Sequence, residues 1–119
     1  MKKLGLPKKK DTKNQLTLSE RMHSVRKGLA FSPEKFAQVV GVSSRTIARW
    51  KSGEAKPDES RALFLGNIER LIVATEKSIE PEDLGRWILV PNTEFDGYAP
   101  VDLLQSGYAT RLLIEALSG

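Results

Sequence analysis

The sequence of 119 residues contains no cysteine and one histidine, which excludes disulfides, thiolate chemistry, Cys-ligated metals and multi-histidine metal sites. This length suits one compact domain, or two small units with a shared core, and no apolar run is long enough for a transmembrane helix. The net charge of +4 combines +10 in residues 1–57 with −6 in residues 58–119, which either favours a polyanion such as nucleic acid for the front half or merely reflects two solvated faces.

The first 15 residues form a basic arm with six lysines and no hydrophobic periodicity, which is typical of a flexible, solvated segment. This arm either contacts phosphates or acts as a solubilising tail. It lacks the apolar run of a secretory signal peptide, so the protein is expected in the cytoplasm.

A first helix is predicted to begin at Thr17, because Thr17 and Glu20 have the spacing of a capping box. Gly28 is the expected signal for the end of this helix. The single histidine, His23, is interpreted as a polar residue on the outer face. Apolar residues at helical spacing predict one buried stripe, which consists of Leu18, Met22, Val25 and Leu29.

Two further helices are predicted on either side of a tight turn at Gly41. Ser32 is the expected N-cap of the first of them, with Pro33 at the position where a missing N–H costs nothing. Ser43 is the expected N-cap of the second helix, which runs to about residue 52 and is closed by Gly53.

These two helices and their glycine turn fit a helix-turn-helix, the motif that places its second helix in the major groove of DNA. The small Ala37 permits a steep crossing, and Gly41 tolerates the positive φ that the turn needs. Ile47 and Trp50 lie three residues apart and anchor the second helix to the first.

The next helix is predicted from Ser60 to Lys77, with Asp58 and Glu59 near its positive end. Its apolar positions cover more than one stripe, so we expect it to pack on two sides. Gly66 is a candidate for a bend or a break in this helix.

Residues 81–119 are predicted to form three short helices, with a turn at Asp96-Gly97. The first begins at Pro81, the second at Pro100, and Gly107 separates the second from the last. Such a short segment cannot bury a core alone, so it must pack on the long helix, on a second copy or on another protein. The last helix has the apolar positions Ala109, Leu112, Leu113, Ala116 and Leu117.

The predicted fold class is therefore all-α. Three parts are expected: a basic arm over residues 1–15, a helix-turn-helix domain with its long linking helix over 16–77, and a small helical domain over 78–119. The stretch FAQVVGVSSRTIARWKSGEAKP resembles the Xre or lambda-repressor-like helix-turn-helix family, and the resemblance extends over residues 17–72. It implies a five-helix domain that binds double-stranded operator DNA, as a homodimer where the operator is palindromic.

The resemblance also implies roles for individual side chains. Ser44, Arg45 and Arg49 correspond to positions that face base edges, and an arginine fork suits the O6 and N7 acceptors of guanine. Pro33 stands where many relatives place a phosphate-binding polar residue, so weaker phosphate binding is expected there. The implied phosphate contacts are Ser32, Ser43, Thr46, Lys51 and Lys56.

The stretch LGRWILVPNTEFDGYAPVDLLQSGYATRLLIEALSG resembles the Xre/MbcA/ParS-type toxin-binding domain of type II antitoxins. The resemblance rests on Trp87, the Pro91-Asn92 pair, Gly97, Pro100, Leu103-Leu104, Gly107 and the final leucine-rich helix. It implies an antitoxin, not an enzyme, without a cofactor and in a larger complex with a toxin. That toxin is expected to be RES-type, similar to ADP-ribosyltransferases, and to consume NAD.

The last helix is the expected toxin-binding element. The expected toxin-binding residues are Tyr108, Arg111, Leu112 and Glu115, which either contact the toxin or are simply solvated. Relatives can carry a tail that enters the toxin's active site; since this sequence ends at Gly119, the expectation is that the last helix covers the entrance. The large aromatic residues are either interface anchors or core, and Trp87 is interpreted as core because it lies in an apolar helical stripe.

Two other function classes compete with this hypothesis. A stand-alone Xre-type repressor would use the back unit only to dimerise, and would purify without a second protein. An enzyme is disfavoured because the sequence offers no nucleophile–base pair, phosphate loop or metal cluster. A membrane-surface role for the lysine arm lacks an amphipathic partner stretch. The carboxylates that could be imagined as a catalytic pair fit helix-start and surface roles: Glu94, Asp96, Asp102 and Glu115.

Overall fold

The computed structural model describes residues 16–118, so the lysine arm predicted for residues 1–15 lies outside the described residues. Within that range the chain is all-helical, with no β-strand, which confirms the predicted fold class. The α-helices are α1 (Leu18–Gly28), α2 (Pro33–Val40), α3 (Ser44–Ser52), α4 (Glu59–Thr75), α5 (Pro81–Trp87), α6 (Pro100–Leu103) and α7 (Gly107–Ser118). A short 3₁₀ helix, Thr93–Phe95, lies between α5 and α6.

Helix starts follow the predicted caps. The hydroxyl oxygen of Thr17 accepts a hydrogen bond from the backbone amide of Glu20 at 3.0 Å. The Glu20 carboxylate accepts one from the backbone amide of Thr17 at 2.9 Å. Ser32 and Ser43 each accept the amide three residues further on, both at 3.1 Å. Each bond satisfies an N–H that the helix itself cannot pair, which fixes where the helix begins.

The two turns that flank α3 use glycine in the left-handed region, as the sequence predicts. Gly41 has φ of +89° and Gly53 has φ of +82°. The amide of Gly41 donates to the carbonyl of Ala37 at 2.9 Å, so the turn closes directly on α2. Because a side chain at these φ values is strained, glycine is the residue that allows both tight turns.

The end of α1 is where the sequence predicts it, but for a different reason. Gly28 is helical, and the residue in the left-handed region is Ala30, with φ of +55°. A Cβ on Gly28 would lie 2.9 Å from Cδ1 of Ile72, so the missing side chain makes room for α4. Gly28 is therefore a packing residue and not the helix-ending turn.

Two other glycines do not divide the helices as predicted. Gly66 does not split the long helix, since α4 runs unbroken from Glu59 to Thr75. Gly107 does not merely end the preceding helix, because it is the first residue of α7. Hydrogen bonds explain the second case: the Ser106 hydroxyl accepts the amide of Ala109 at 3.1 Å and caps the helix.

The long helix α4 is the centre of the core and packs on both the head, α1 to α3, and the back unit, α5 to α7. The buried apolar residues of this helix include Phe64, Leu65, Ile68 and Leu71. Side chains from both ends of the chain pack in the same cluster as these residues: Met22, Val25, Leu29, Trp50, Leu84, Ile88, Leu104 and Leu113. Of the three supports expected for residues 81–119, the long helix is the one that the structure provides.

Specific contacts tie the head to the rest of the molecule. Arg21 on α1 makes two hydrogen bonds to the Glu69 carboxylate on α4, at 2.9 and 2.7 Å, and these bonds raise the pKa of the Arg21 guanidinium. On α5, Gly85 lies so close to the loop after α1 that a Cβ would sit 2.1 Å from the carbonyl oxygen of Leu29. The position of the back unit is thus set by backbone-to-backbone approach.

Candidate functional site

The outward face of α3 carries the residues that the sequence assigns to base reading. Trp50 is buried and Ile47 is half-buried against the core, so the opposite side of the helix faces solvent. Ser44, Arg45 and Arg49 are all exposed on it. The structure therefore brings the three predicted base-reading residues onto one accessible helix, at the start of which no acidic residue lies.

The five predicted phosphate contacts fall into two groups. Lys51 and Lys56 are exposed ammonium groups near the end of α3. Ser32 and Ser43 already use their hydroxyl oxygens as helix caps, and Thr46 lies 3.1 Å from the Ser43 hydroxyl. A hydroxyl that accepts an amide hydrogen can still donate its own proton, so Ser32 remains able to donate to a phosphate oxygen.

Arg49 has a carboxylate neighbour within its own segment. Its Nε lies 3.9 Å from Oε2 of Glu54, with 50 % and 66 % of the two side chains exposed. An ion pair this long and this exposed is weak, because solvent screens it. Arg49 is therefore free to exchange Glu54 for another acceptor.

The turn before α3 is braced from the long helix. Arg61 donates to the carbonyl oxygen of Gly41 at 3.2 Å and to the Asp58 carboxylate at 2.7 Å. Asp58 is the N-cap of α4, and the hydrogen bond that its carboxylate accepts from the backbone of Arg61 lowers the pKa of Asp58, helped by the Arg61 guanidinium. The position of α3 is thereby coupled to the start of α4.

The outward face of α7 has a different character. Tyr108 is 64 % exposed and Leu112 is 47 % exposed, although both are large and apolar. The guanidinium carbon of Arg111 lies 5.6 Å from the centre of the Tyr108 ring, within the range of a cation–π contact. Glu115 is also exposed, so all four predicted toxin-binding residues lie on the accessible side of one helix.

Two grooves flank this helix. An apolar groove of about 280 Å³ lies on one side, lined by Phe95, Asp96, Tyr98, Leu103, Ala109, Leu112 and Leu113. A cationic groove of about 450 Å³ lies on the other side, lined by Arg70, Gly107, Arg111, Ile114 and Glu115. The ridge between them is α7 itself, so this helix and its grooves form one continuous candidate binding surface.

Two residues of this surface lie outside the predicted toxin-binding set, and the sequence points to Tyr98 only as one of the large aromatic residues that are either interface anchors or core. Tyr98 is 58 % exposed and lines the apolar groove, and Arg70 on α4 lines the cationic groove. Asn67, which accepts a hydrogen bond from Arg70, is 1 % exposed. The available signal for Arg70 was its spacing from Asn67: the two polar residues lie three positions apart, on the same side of a largely apolar stretch of the helix.

The aromatic residues of the back unit divide between core and surface. Trp87 is half-buried and packs edge-to-face on Phe95 with ring centres 6.1 Å apart, in agreement with its interpretation as core. His23 is exposed, as interpreted from its place outside the apolar stripe. Between residues 16 and 118, no group of three or more His, Cys, Asp or Glu side chains is arranged to hold a metal ion. No helix of the same range combines the length and apolarity that a membrane span requires.

Comparison with known proteins places this geometry in context. No protein-family model matches the chain. The chain is 34 % identical over 68 residues to a probable mycobacterial cidal antitoxin, Rv3188 of Mycobacterium tuberculosis, and the match spans 57 % of each protein. It is 26 % identical over 88 residues to the mycobacterial cidal antitoxin MbcA of Mycobacterium bovis and of Mycobacterium tuberculosis, across 74 % of this chain and 76 % of MbcA. The chain thus spans just over half the length of Rv3188.

The fold also matches a solved structure. One chain of the crystal structure of the M. tuberculosis MbcT–MbcA toxin–antitoxin complex superimposes with a TM-score of 0.65 and 23 % sequence identity. The superposition covers 87 % of this chain and 96 % of that chain. The all-helical arrangement of head, long helix and back unit is therefore a fold that this protein shares with a chain of that complex.

Proposed function

We propose that this chain is an antitoxin of a type II toxin–antitoxin system. Its α7 surface binds and neutralises a cognate toxin, and its helix-turn-helix binds operator DNA and represses its own operon. The observation that carries the proposal is the 34 % identity, over 68 residues, to a probable cidal antitoxin. The resemblance of residues 81–119 to the toxin-binding domain of type II antitoxins makes a RES-type, NAD-consuming toxin the proposed partner.

The chemistry of the α7 surface supports the binding of a protein. Tyr98 and Leu112 each expose about half or more of their surface at one apolar groove, and Tyr108 is 64 % exposed on the same helix as Leu112. Isolated exposed apolar residues are ordinary, but a cluster beside a groove is typical of an interaction site. Tyrosines with a rigid ring and a polar hydroxyl are among the side chains that contribute most to protein interfaces.

The chemistry of the α3 surface supports the binding of DNA. Arg45 and Arg49 project from a short helix whose cap and turn are both fixed, so little order is lost when bases are contacted. Lys51 and Lys56 add two exposed positive charges near the end of α3, and such charges attract a phosphate backbone. A homodimer would place two such helices on the half-sites of a palindromic operator.

The test of toxin binding uses matched surface variants, because deletion of residues 81–119 would remove Leu84, Ile88, Leu104 and Leu113 from the shared core. Leu112→Asp is compared with Leu63→Asp, since these leucines are 47 % and 45 % exposed on different helices. Each variant is co-expressed with the protein encoded beside this one, and bacterial growth and co-purification are measured.

The expected result is that wild-type chain and Leu63→Asp relieve growth inhibition and co-purify with the neighbouring protein, whereas Leu112→Asp does neither. Full relief by Leu112→Asp would contradict the α7 surface as the binding site. A neighbouring protein that neither inhibits growth nor co-purifies, together with intact operator binding, would favour the stand-alone repressor that uses its back unit only to dimerise.

A further inference from the structure

One arginine of the cationic groove between α4 and α7 is held by a buried side chain. Asn67 is 1 % exposed, and its amide nitrogen donates to the carbonyl oxygen of Leu104 at 2.8 Å. Its amide oxygen accepts a hydrogen bond from the Arg70 guanidinium at 3.0 Å. Arg70 is thus held in one orientation by a buried side chain, at the wall of the groove.

The second arginine of the groove is also positioned. The guanidinium of Arg111 lies over the Tyr108 ring, so its hydrogen-bond donors remain available at its edges. Gly107 lines the same groove and begins α7, a helix of 12 residues. The positive end of that helix dipole faces the same region as the two guanidinium groups, which adds to the attraction of an anion.

Among the residues that the structure describes, Arg70 and Arg111 differ from the other two arginines of residues 58–119 in having no ion-pair partner. Arg61 pairs with Asp58, and Arg86 pairs with Asp83. Within residues 16–118, by contrast, neither Arg70 nor Arg111 has a carboxylate oxygen within 4.0 Å. Glu115 lines the groove as well, so the groove itself holds two positive charges and one negative charge.

We propose that the groove lined by Arg70 and Arg111 receives an acidic side chain of the partner protein. A carboxylate fits because its two oxygens match the parallel donors of a guanidinium fork, and two such forks can share it. A proteinaceous partner is favoured because the groove is continuous, across α7, with the exposed Tyr108 and Leu112. The inference rests on the proposed function, since it assigns the charge chemistry of the same toxin-binding surface.

The first test measures the affinity of purified full-length variants for the protein encoded beside this one. Arg111→Glu and Arg70→Glu are each expected to weaken binding by about tenfold or more, the size expected for loss of a charge-assisted hydrogen bond. Arg86→Glu makes the same charge change on α5 and is expected to change the affinity less than about twofold, as surface substitutions do. Arg111→Lys keeps the charge but not the fork, and is expected to fall between wild type and Arg111→Glu.

Glu115 separates this proposal from a general loss of the interface. Glu115 is the carboxylate that lines the groove, so if the groove binds a carboxylate of the partner, Glu115→Gln removes a repelling charge and tightens binding. Weaker binding in Glu115→Gln, or equal losses in Arg111→Glu and Arg86→Glu, would overturn the proposal. Thermal unfolding by circular dichroism identifies any variant that fails to fold; Arg111 takes no part in the Asn67 hydrogen bonds, so Arg111→Glu stays informative if Arg70→Glu unfolds.

The second test needs no partner and keeps the two proposals distinguishable. Citrate is titrated into the full-length chain at constant ionic strength, and the Nε–Hε signals of the arginines are followed by NMR. Shifts at Arg70 and Arg111 with none at Arg61 and Arg86 are expected. Equal shifts at all four arginines would overturn the proposal that the groove binds a carboxylate. Citrate binding without any binding of the neighbouring protein would contradict only the proposed toxin partner.

Discussion

Helix α3 and the last helix α7 are each buried on one side, but they present different chemistry to solvent. Each buries one face, through Trp50 in α3 and through Leu113 in α7. The outer face of α3 is hydroxyl and guanidinium, and the stretch 17–62 has no large hydrophobic side chain that is exposed. The outer face of α7 mixes a guanidinium with Tyr108 and Leu112.

This difference follows the two kinds of partner that such surfaces suit. Phosphates and base edges attract charge and hydrogen-bond donors, and affinity for them is largely electrostatic. Protein interfaces depend on a few buried aromatic and aliphatic anchors with charged groups around them. The division of charge along the sequence, +10 in residues 1–57 and −6 in residues 58–119, agrees with this contrast.

The contact between the head and the back unit depends on Gly85, and a substitution there is expected to have the largest effect on stability. Gly85→Ala places a Cβ 2.1 Å from the carbonyl oxygen of Leu29 and 3.1 Å from the Phe31 ring, so backbone must move. We expect a loss of about 3 kcal/mol or more in the free energy of unfolding, the upper range for overpacking. Gly66→Ala is the control: nothing lies within 4 Å of its new Cβ, and alanine should stabilise the helix by about 0.5–1 kcal/mol. Chemical denaturation measures both, and equal stability of the two variants would refute the close approach.

The second prediction concerns Arg45 and separates DNA binding from protein binding. Arg45→Ala is expected to weaken operator binding by about 1–3 kcal/mol and to relax base preference at one position. Binding of the proposed toxin should be unchanged, because no residue of α3 lines either of the grooves that flank α7. Fluorescence anisotropy with operator variants, beside calorimetry with the toxin, measures the two affinities. Unchanged base preference in Arg45→Ala would show that Arg45 is not one of the base-reading residues.

A smaller effect is expected at Lys56, one of the proposed phosphate contacts. Lys56→Ala should weaken binding to every DNA sequence by a similar factor and reduce the slope of log affinity against log salt by about 1. Lys77→Ala, on an exposed lysine beyond α4, is the matched control and should leave the slope unchanged. A change in sequence preference without a change in slope would contradict a phosphate role for Lys56.

Local features of this fold could be read from the sequence, and tertiary ones could not. Caps such as Thr17–Glu20 and Ser43 act within three residues, so their spacing alone predicts the helix starts. Whether a glycine is needed for its φ or for its small size depends on what lies opposite, which is why Gly28 was predicted as a turn and is a packing contact with Ile72.

The candidate surfaces follow the same division. The exposed side of α3 is implied by the spacing of Ile47 and Trp50, because residues on one helix share a face by position. The cationic groove joins Arg70 and Arg111, which are 41 positions apart in the sequence and meet only because α4 packs against α7. No periodicity within either helix reports such a meeting, so the groove could not be predicted.

The smallest effect concerns Asp58, where the long helix braces the turn before α3. The pKa of this carboxyl is lowered below its ordinary value of 3.8, first by the backbone hydrogen bond from Arg61 and then by the Arg61 guanidinium. A lowered pKa in the folded state means that the ionised carboxylate stabilises the fold at neutral pH. That stabilisation is fully present above pH 3.8 and is lost as the pH falls through the lower value of the folded state.

Asp58→Ala should therefore have a lower melting temperature than wild type at pH 7, and the difference should shrink as the pH falls below 3.8. Asp58→Asn keeps an oxygen that accepts the Arg61 amide but loses the charge, so it should lie between the two at pH 7. Thermal unfolding from pH 7 to pH 2 measures all three proteins. A difference that stays constant with pH would assign the effect to the neutral cap alone. Because Arg61 also holds the carbonyl of Gly41, we expect faster hydrogen exchange at the Gly41 turn in Asp58→Ala, and unchanged exchange in α7.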